Sequence, residues 1–447
     1  MHSFALDAWT AHRLGQVNRV LCRDDLVRYH TQALKELLSY CQTHSTFYRR
    51  KWAGIDVAAI NGTTDLQRLP CTTADELRQY GREMLCVGQD AVARIVTLRS
   101  SGSTGVAKRL FFTDEDLERT RDFFHHGMLH ILEPGRRAAI FLPGESPDST
   151  GALLAEALGR MGSPCRIFGL VQDLTASAAR LAQWQPQVLI GFPVQMLALA
   201  RMARHLGCWP DSISALLLCS DYIPHSICTA LRRQFGCTVF SHYGSVESGL
   251  GAAVDCPFHA GLHLRESDLL VEIVTESLQP QALGEWGEIV TTTLTRRGMP
   301  LVRYRSGDRG RLLPGNCSCG SVLARLDRVG GRMAGVLPLA AGGTLSLPEL
   351  DESLFSLPAV LDFQAALYGS PCAKESLQVL ISTVPGYGEK TAQQIGAMLK
   401  RMIQFHDIEI KVSYKSAAVL QQGKRQLIDY REIPPHESTD STTLHNP

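Results

Sequence analysis

Four short apolar runs constrain this chain more than any other feature. RAAIFLP, QVLIGFP, ISALLLCS and CTVFSHYG each read as a strand that ends at a turn. Helical patterns around residues 150–160, 172–184, 194–206 and 224–235 lie between them. Such alternation builds parallel strands joined by crossover helices, an α/β fold. Ligand sites in these sheets lie beyond the carboxyl ends of the strands.

At 447 residues the chain is too long for one compact core, so more than one domain is expected. Residues 24–41 place Leu26, Val27, Ala33, Leu34, Leu37, Leu38 and Cys41 on one helical stripe, with Asp24 or Asp25 as cap. Thr113 opens another helix, with acids at 114–116 in its first turn. From about residue 264 the pattern turns strand-rich, in DLLVEIV, GEIVTTT and DRGRLLP. Glycines then cluster at 330, 331, 335, 342 and 343. A last unit carries the stripe Ala392, Ile395, Leu399, Met402, Ile403 and the strand-like IEIKV. The expected division is a large N-terminal domain, 1–331, with mixed and parallel sheets, then a small mobile α+β domain, 332–433. The polar end, 434–447, reads as a disordered tail.

The formal net charge is +1 and no basic arm exists, which disfavours nucleic acid as a partner. No run of eighteen apolar residues occurs, so no membrane span is expected, and MHSFALDAWT lacks a signal-like start. A cytoplasmic protein is expected. Thirteen scattered cysteines, an odd number, then read mainly as buried thiols.

Four motifs carry chemistry. Residues 99–109, RSSGSTGVAKR, follow the strand-like RIVTL and concentrate backbone N–H groups and hydroxyls that suit phosphate oxygens. This is not a Walker loop, because Gly102 and Gly105 are too close and no Ser or Thr follows Lys108. In SHYGSVESG, Tyr243 offers a face for a purine and Glu247 an oxygen ligand for Mg²⁺. In YRSGDRGR, Asp308 sits in a glycine turn where it can accept from ribose hydroxyls. In QQGKRQLIDYR, Lys424 on a glycine turn can reach an α-phosphate or carboxylate oxygen. Taken singly, each also reads as an ordinary surface turn.

Together, in this order, the four motifs resemble the adenylate-forming superfamily of acyl-CoA synthetases, and more closely its phenylacetate-CoA ligase branch. STFYRRKWAGID and LQRLPCTTADELRQYG extend the resemblance over nearly the whole chain. It implies ATP, Mg²⁺ and CoA as cofactors and a small carboxylic acid as substrate. Ser100, Ser101, Gly102, Ser103, Thr104, Gly105 and Lys108 would embrace the β,γ-phosphates. Tyr243 and Gly244 would lie against adenine, and Glu247 would hold Mg²⁺. Asp308 would bind the ribose, with Arg328 and Arg332 near the hinge and nucleotide. Lys424 would bridge carboxylate and α-phosphate during adenylation. The sequence departs from the branch at Met333-Ala334, where acidic hinge residues are usual. A homodimer is compatible with the resemblance.

Cys256 and His263, in DCPFHAGLHL, and Cys317 and Cys319, in GNCSCG, form a candidate structural zinc set from two loops. His263 is preferred over His259, and reduced thiols beside an unrelated histidine are the alternative.

The implied reaction is adenylation of an aryl or arylacetic acid, then transfer to CoA. Its pocket is expected around Phe141, Phe192 and the 219–224 turn. The sequence leaves two alternatives: an adenylating enzyme that loads a carrier-protein thiol or an amine, and a nucleotide-binding regulator without turnover.

Overall fold

A computed structural model describes residues 4–16, 19–98, 107–333, 335–340, 342–370, 373–402, 405, 407–415, 420 and 425–431. The four apolar runs become the strands Ala138–Phe141, Val188–Gly191, Ala215–Leu218 and Thr238–Tyr243 of one eight-stranded sheet. With Cys165–Ile167 at one edge, all five pair in parallel, and each successive pair is fixed by a direct register such as Ala138 with Val188. Three antiparallel strands, Ala253–Asp255, Leu262–Leu264 and Arg325–Leu326, complete the other side. From Ala138–Phe141 the chain moves outward to Cys165–Ile167, then returns to Val188–Gly191 on the opposite flank. That reversal is a topological switch point, where a crevice opens beyond the strand ends.

Period-two alternation divides the strand side chains between two helical layers. Ile140, Leu142, Ile190, Leu217 and Phe240 pack with Leu153, Leu154 and Leu158 of the helix Thr150–Arg160. Phe141, Leu189, Leu216, Leu218 and Val239 face the helices Leu174–Trp184, Pro193–His205 and His225–Phe235 instead. Both faces being covered explains why these strands read as continuous apolar runs.

Caps follow the sequence closely at one helix and not at another. Thr113 accepts from the Asp116 N–H and Asp116 reaches back to the Thr113 N–H, a capping box that starts Asp114–Met128. At Arg23–His44 the cap is Cys22, not Asp24 or Asp25. Asp25 lies in the first turn and accepts from the Cys22 N–H at 3.0 Å.

The later half contains a three-stranded antiparallel sheet, Leu269–Val274, Gly287–Thr293 and Tyr304–Gly310. The last strand begins at Tyr304, ahead of the stretch expected from DRGRLLP. Beyond it, Val360–Ser370 and Ala373–Thr383 form a hairpin. Glu409–Lys415 and Leu427–Asp429 flank the hairpin in parallel, with Gly388–Lys400 packed on one side. This C-terminal unit rests on the outer helices. Arg201, buried on Pro193–His205, donates to the carbonyls of Phe355, at 2.9 Å, and Val360. Glu352 accepts from the Tyr222 hydroxyl and from the His225 and Ser226 N–H groups at the start of His225–Phe235. A carboxylate there meets the positive end of that helix.

Among the described residues, no helix is long and apolar enough to cross a membrane.

Candidate active site

Glu247 is the centre of the site. The strand Thr238–Tyr243 ends at Gly244, where a β-carbon would come within 2.5 Å of the Leu250 carbonyl, so only glycine fits this turn. Ser245 and Ser248 then bond each other through hydroxyl and N–H groups at 2.9 to 3.3 Å. The turn presents Glu247 inward, 6% exposed. Its Oε1 accepts from Lys108 Nζ at 2.5 Å and from the Tyr304 hydroxyl at 3.2 Å. Arg296, buried and stacked 4.1 Å over the Phe112 ring, donates to the Glu247 carbonyl at 2.9 Å. Burial pushes the Glu247 carboxyl up, but the Lys108 charge and the two hydrogen bonds outweigh it and hold the group ionised.

A second acid lies on the neighbouring sheet. The Tyr243 hydroxyl donates to Asp308 Oδ2 at 2.9 Å, and Arg332 Nε meets Asp308 Oδ1 at 3.0 Å. Gly307, at φ +72°, makes the turn, and the Asp308 N–H is held by the Ser306 hydroxyl at 3.0 Å. Arg332 also donates to the Ser306 carbonyl. Burial and the Asp308 charge both push the Tyr243 phenol well up, so it remains a hydrogen-bond donor.

Lys108, Tyr243, Gly244, Glu247, Asp308 and Arg332 are thus brought together in two linked clusters. Arg328 takes different partners, His225 Nδ1 at 3.3 Å and its neighbour Asp327. Ser100, Ser101, Gly102, Ser103, Thr104 and Gly105 lie outside the described residues, although the flanking Leu98 and Lys108 are cross-strand partners. Lys424, Ala334, Ile403 and the 434–447 tail lie outside them as well. Two supporting residues carried no sequence assignment. Tyr304 opens the quoted YRSGDRGR motif, whereas Arg296 has no local signal.

Beside Gly244 an apolar cavity of about 50 Å³ sits at the switch point. Leu142, Ile190 and Leu217 form its floor, with Phe123, Phe124 and Leu154 as walls. Cys219, Ser220, Thr150 and His242 also border it. The 219–224 turn therefore contributes through its first two residues. The segment around Phe141 contributes through Leu142, while the Phe141 side chain itself faces the other layer and packs on Phe168, with ring centres 4.8 Å apart. The segment before Phe192 contributes through Ile190, and Phe192 itself does not line the cavity.

Cys256, His263, Cys317 and Cys319 form a separate cluster whose four donor atoms lie within 4.8 Å of one another. The Cys256 and Cys317 sulfurs are 3.7 Å apart, and Cys319 Sγ is 3.3 Å from His263 Nε2. A disulfide needs about 2.05 Å. Two thiolates on one tetrahedral zinc, each at about 2.3 Å, stand roughly 3.8 Å apart. His259 turns away and pairs with Asp255 Oδ2 at 2.7 Å.

No protein-family model matches the chain. It is 30% identical over 355 residues to a phenylacetate-coenzyme A ligase of Escherichia coli (strain K12), covering 74% of this chain and 76% of that protein. To a phenylacetate-coenzyme A ligase of Thermus thermophilus it is 29% identical over 358 residues, with 76% and 78% covered. Among solved structures, a 2-hydroxyisobutyryl-CoA ligase in its postadenylation state superposes with a TM-score of 0.79 at 19% identity, covering 92% of this chain and 91% of that one. An anthranilate CoA ligase bound to anthranoyl-AMP gives a TM-score of 0.53 at 16% identity, covering 74% and 66%. These two likenesses concern the fold.

Proposed function

The chain belongs to the phenylacetate-coenzyme A ligase family, and from that membership we propose that it is an AMP-forming acyl-CoA ligase for aryl or arylacetic acids. The observation that carries this reading is the Lys108–Glu247–Tyr304 cluster, joined through the Tyr243 turn to Asp308, beyond the carboxyl end of the parallel sheet. The apolar cavity beside Gly244 supports an acid with an apolar body.

In the first step a carboxylate oxygen attacks the α-phosphorus of ATP. The new O–P bond forms as the bond to pyrophosphate breaks, giving an acyl-adenylate. In the second step the CoA thiol attacks the acyl carbon, losing its proton, and AMP leaves. The protein's task in the first step is positioning and charge neutralisation. Lys108 supplies a fixed positive charge, and Tyr304 holds the Glu247 carboxylate in place. Asp308 is set to accept from ribose hydroxyls, with Tyr243 and Arg332 fixing its two oxygens. Ser100 to Gly105 would cradle phosphate oxygens, and Lys424, from the C-terminal unit, would bridge carboxylate and α-phosphate. Arg328 has the least support, given its pairing with His225. In this reading 1–331 and 332–433 are the two working units.

Mg²⁺ fits Glu247, an ionised, nearly buried carboxylate; when bound it would offset negative charge on pyrophosphate. Zinc fits the Cys256, His263, Cys317 and Cys319 cluster, whose donor types and spacing suit a closed structural site. Supply of ATP and CoA favours the cytoplasm. The test is AMP formation from ATP with a panel of acids, which this reading expects to require both an aryl acid and CoA. AMP formation that ignores CoA would instead indicate another acceptor.

A further inference from the structure

The cavity beside Gly244 is apolar almost throughout, and no Asp, Glu, Lys or Arg is among its described lining residues. A second charged group on the acid would therefore find no counter-charge there. Such a lining suits the ring of an aromatic acid.

His242 breaks the apolar pattern. It lies on the strand Thr238–Tyr243, one residue before Tyr243, and borders the cavity between Phe123 and Phe124, with both ring centres 6.1 Å away. Its Nε2 is buried with no hydrogen-bond partner. Gly251 lets the ring sit there, since a β-carbon would come within 3.2 Å of Nε2 and 2.5 Å of the Phe123 ring. Burial pushes the imidazole down to about 4, so at neutral pH it is uncharged, with one nitrogen donating and the other accepting. Buried polar groups in native proteins are nearly always satisfied, so an orphan nitrogen at a ligand cavity asks for a partner on the ligand.

We propose that the cavity takes the ring of an aryl acid bearing one hydroxyl group, and that the His242 imidazole is the hydrogen-bond partner of that hydroxyl. The proposal rests on the ligase reading above and narrows its substrate class. A phenolic hydroxyl can donate to or accept from a neutral imidazole, and it adds no charge to an uncharged cavity. Ser220 and Thr150 also carry hydroxyls at the cavity, but neither has an orphaned buried atom. The Cys219 thiol, pushed up to about 11 by burial, stays protonated and offers only a weak donor. Sites that hydrogen-bond a substrate hydroxyl discriminate strongly against the analogue lacking it.

The experiment measures kcat/KM for AMP formation by the full chain with ATP, Mg²⁺ and CoA. The acids are phenylacetate and benzoate and their 2-, 3- and 4-hydroxy isomers, tested on wild type, His242→Leu and His242→Gln. The proposal expects one hydroxylated isomer to exceed its parent by about tenfold or more. His242→Leu should abolish or invert that ratio, and His242→Gln, still able to hydrogen-bond, should keep part of it. Should the leucine variant fail to fold by thermal melting, the glutamine variant carries the comparison. Equal use of parent and all isomers by wild type overturns the proposal and leaves the ligase reading intact. An unchanged ratio in the folded variants does the same. No turnover of any aryl acid by wild type overturns both.

Discussion

Lys108 Nζ lies 2.5 Å from Glu247 Oε1, linking the end of the RSSGSTGVAKR motif to the turn after the last parallel strand. The pair is largely buried, at 19% and 8% side-chain exposure, and the Tyr304 hydroxyl shares the same carboxylate oxygen. An ion pair this enclosed is costly to break from one side, because the remaining charge is left uncompensated.

Glu247→Gln is therefore expected to lower kcat/KM for pyrophosphate release by about 100-fold, the scale on which an electrostatic group is lost from a water-poor site. Lys108→Met should have a similar effect. The double variant should lose far less than the product of the two, since both substitutions remove one interaction. Independent effects in a double-mutant cycle on steady-state rates would contradict the pairing.

Asp308→Ala should raise the KM for ATP by about 10- to 100-fold, as expected for lost hydrogen bonds to a charged group. The same enzyme assayed with 2′,3′-dideoxy-ATP separates the causes. Wild type should lose affinity for the analogue, whereas the variant should treat both nucleotides alike. Equal discrimination by both proteins would remove the ribose role.

Much of this arrangement is legible in the sequence, and the gaps have physical causes. The runs at 137–143, 187–193, 213–220 and 237–244 announced a covered parallel sheet, and that sheet is present. Their continuous apolarity also hides the orientation of Phe141, because a strand buried on both sides carries no polar alternation to reveal which face each residue takes. Leu142, one position on, faces the cavity instead. Tyr304 was visible inside a motif, but its role depends on a contact with Glu247 57 residues away in sequence. Arg201 has no signal of its own in the sequence. Only the packing of the C-terminal unit turns it into a buried donor to Phe355 and Val360. Cys22 became the cap because Asp25 reaches back to it, a reversal that composition near a helix start does not reveal.

The cysteine–histidine cluster predicts a metal dependence that activity alone would not expose. Elemental analysis should find about one zinc per chain, as one closed four-ligand set implies. Cys317→Ser should release it and lower the melting temperature by about 5 °C or more, on the scale of a loss near 2 kcal/mol in a large domain. A metal-free wild type that melts at the same temperature with and without chelator would dismiss the site.

Acid should destabilise the fold before carboxylates protonate. Burial pushes His126 and His242 each down to about 4, with the charges of His125 and His12 adding to the effect at His126. The free imidazole value is about 6.5, so between these values the unfolded chain binds more protons and stability rises with pH. Stability is thus fullest above about 6.5 and falls as pH drops towards 4. Thermal melts from pH 7.5 to 5 should show this decline, and His126→Phe with His242→Leu should flatten it. An unchanged slope in the double variant would assign the decline to other groups.

The central claim is that this chain activates an acid as its adenylate and passes the acyl group to CoA. The most direct measurement follows pyrophosphate, AMP and acyl-CoA together, with ATP, Mg²⁺ and an aryl acid panel, with and without CoA. The account predicts that pyrophosphate release without CoA stalls near one equivalent per enzyme. CoA should then restart turnover with matched amounts of AMP and thioester. Pyrophosphate release from no acid, or AMP formed without thioester when CoA is present, would contradict it.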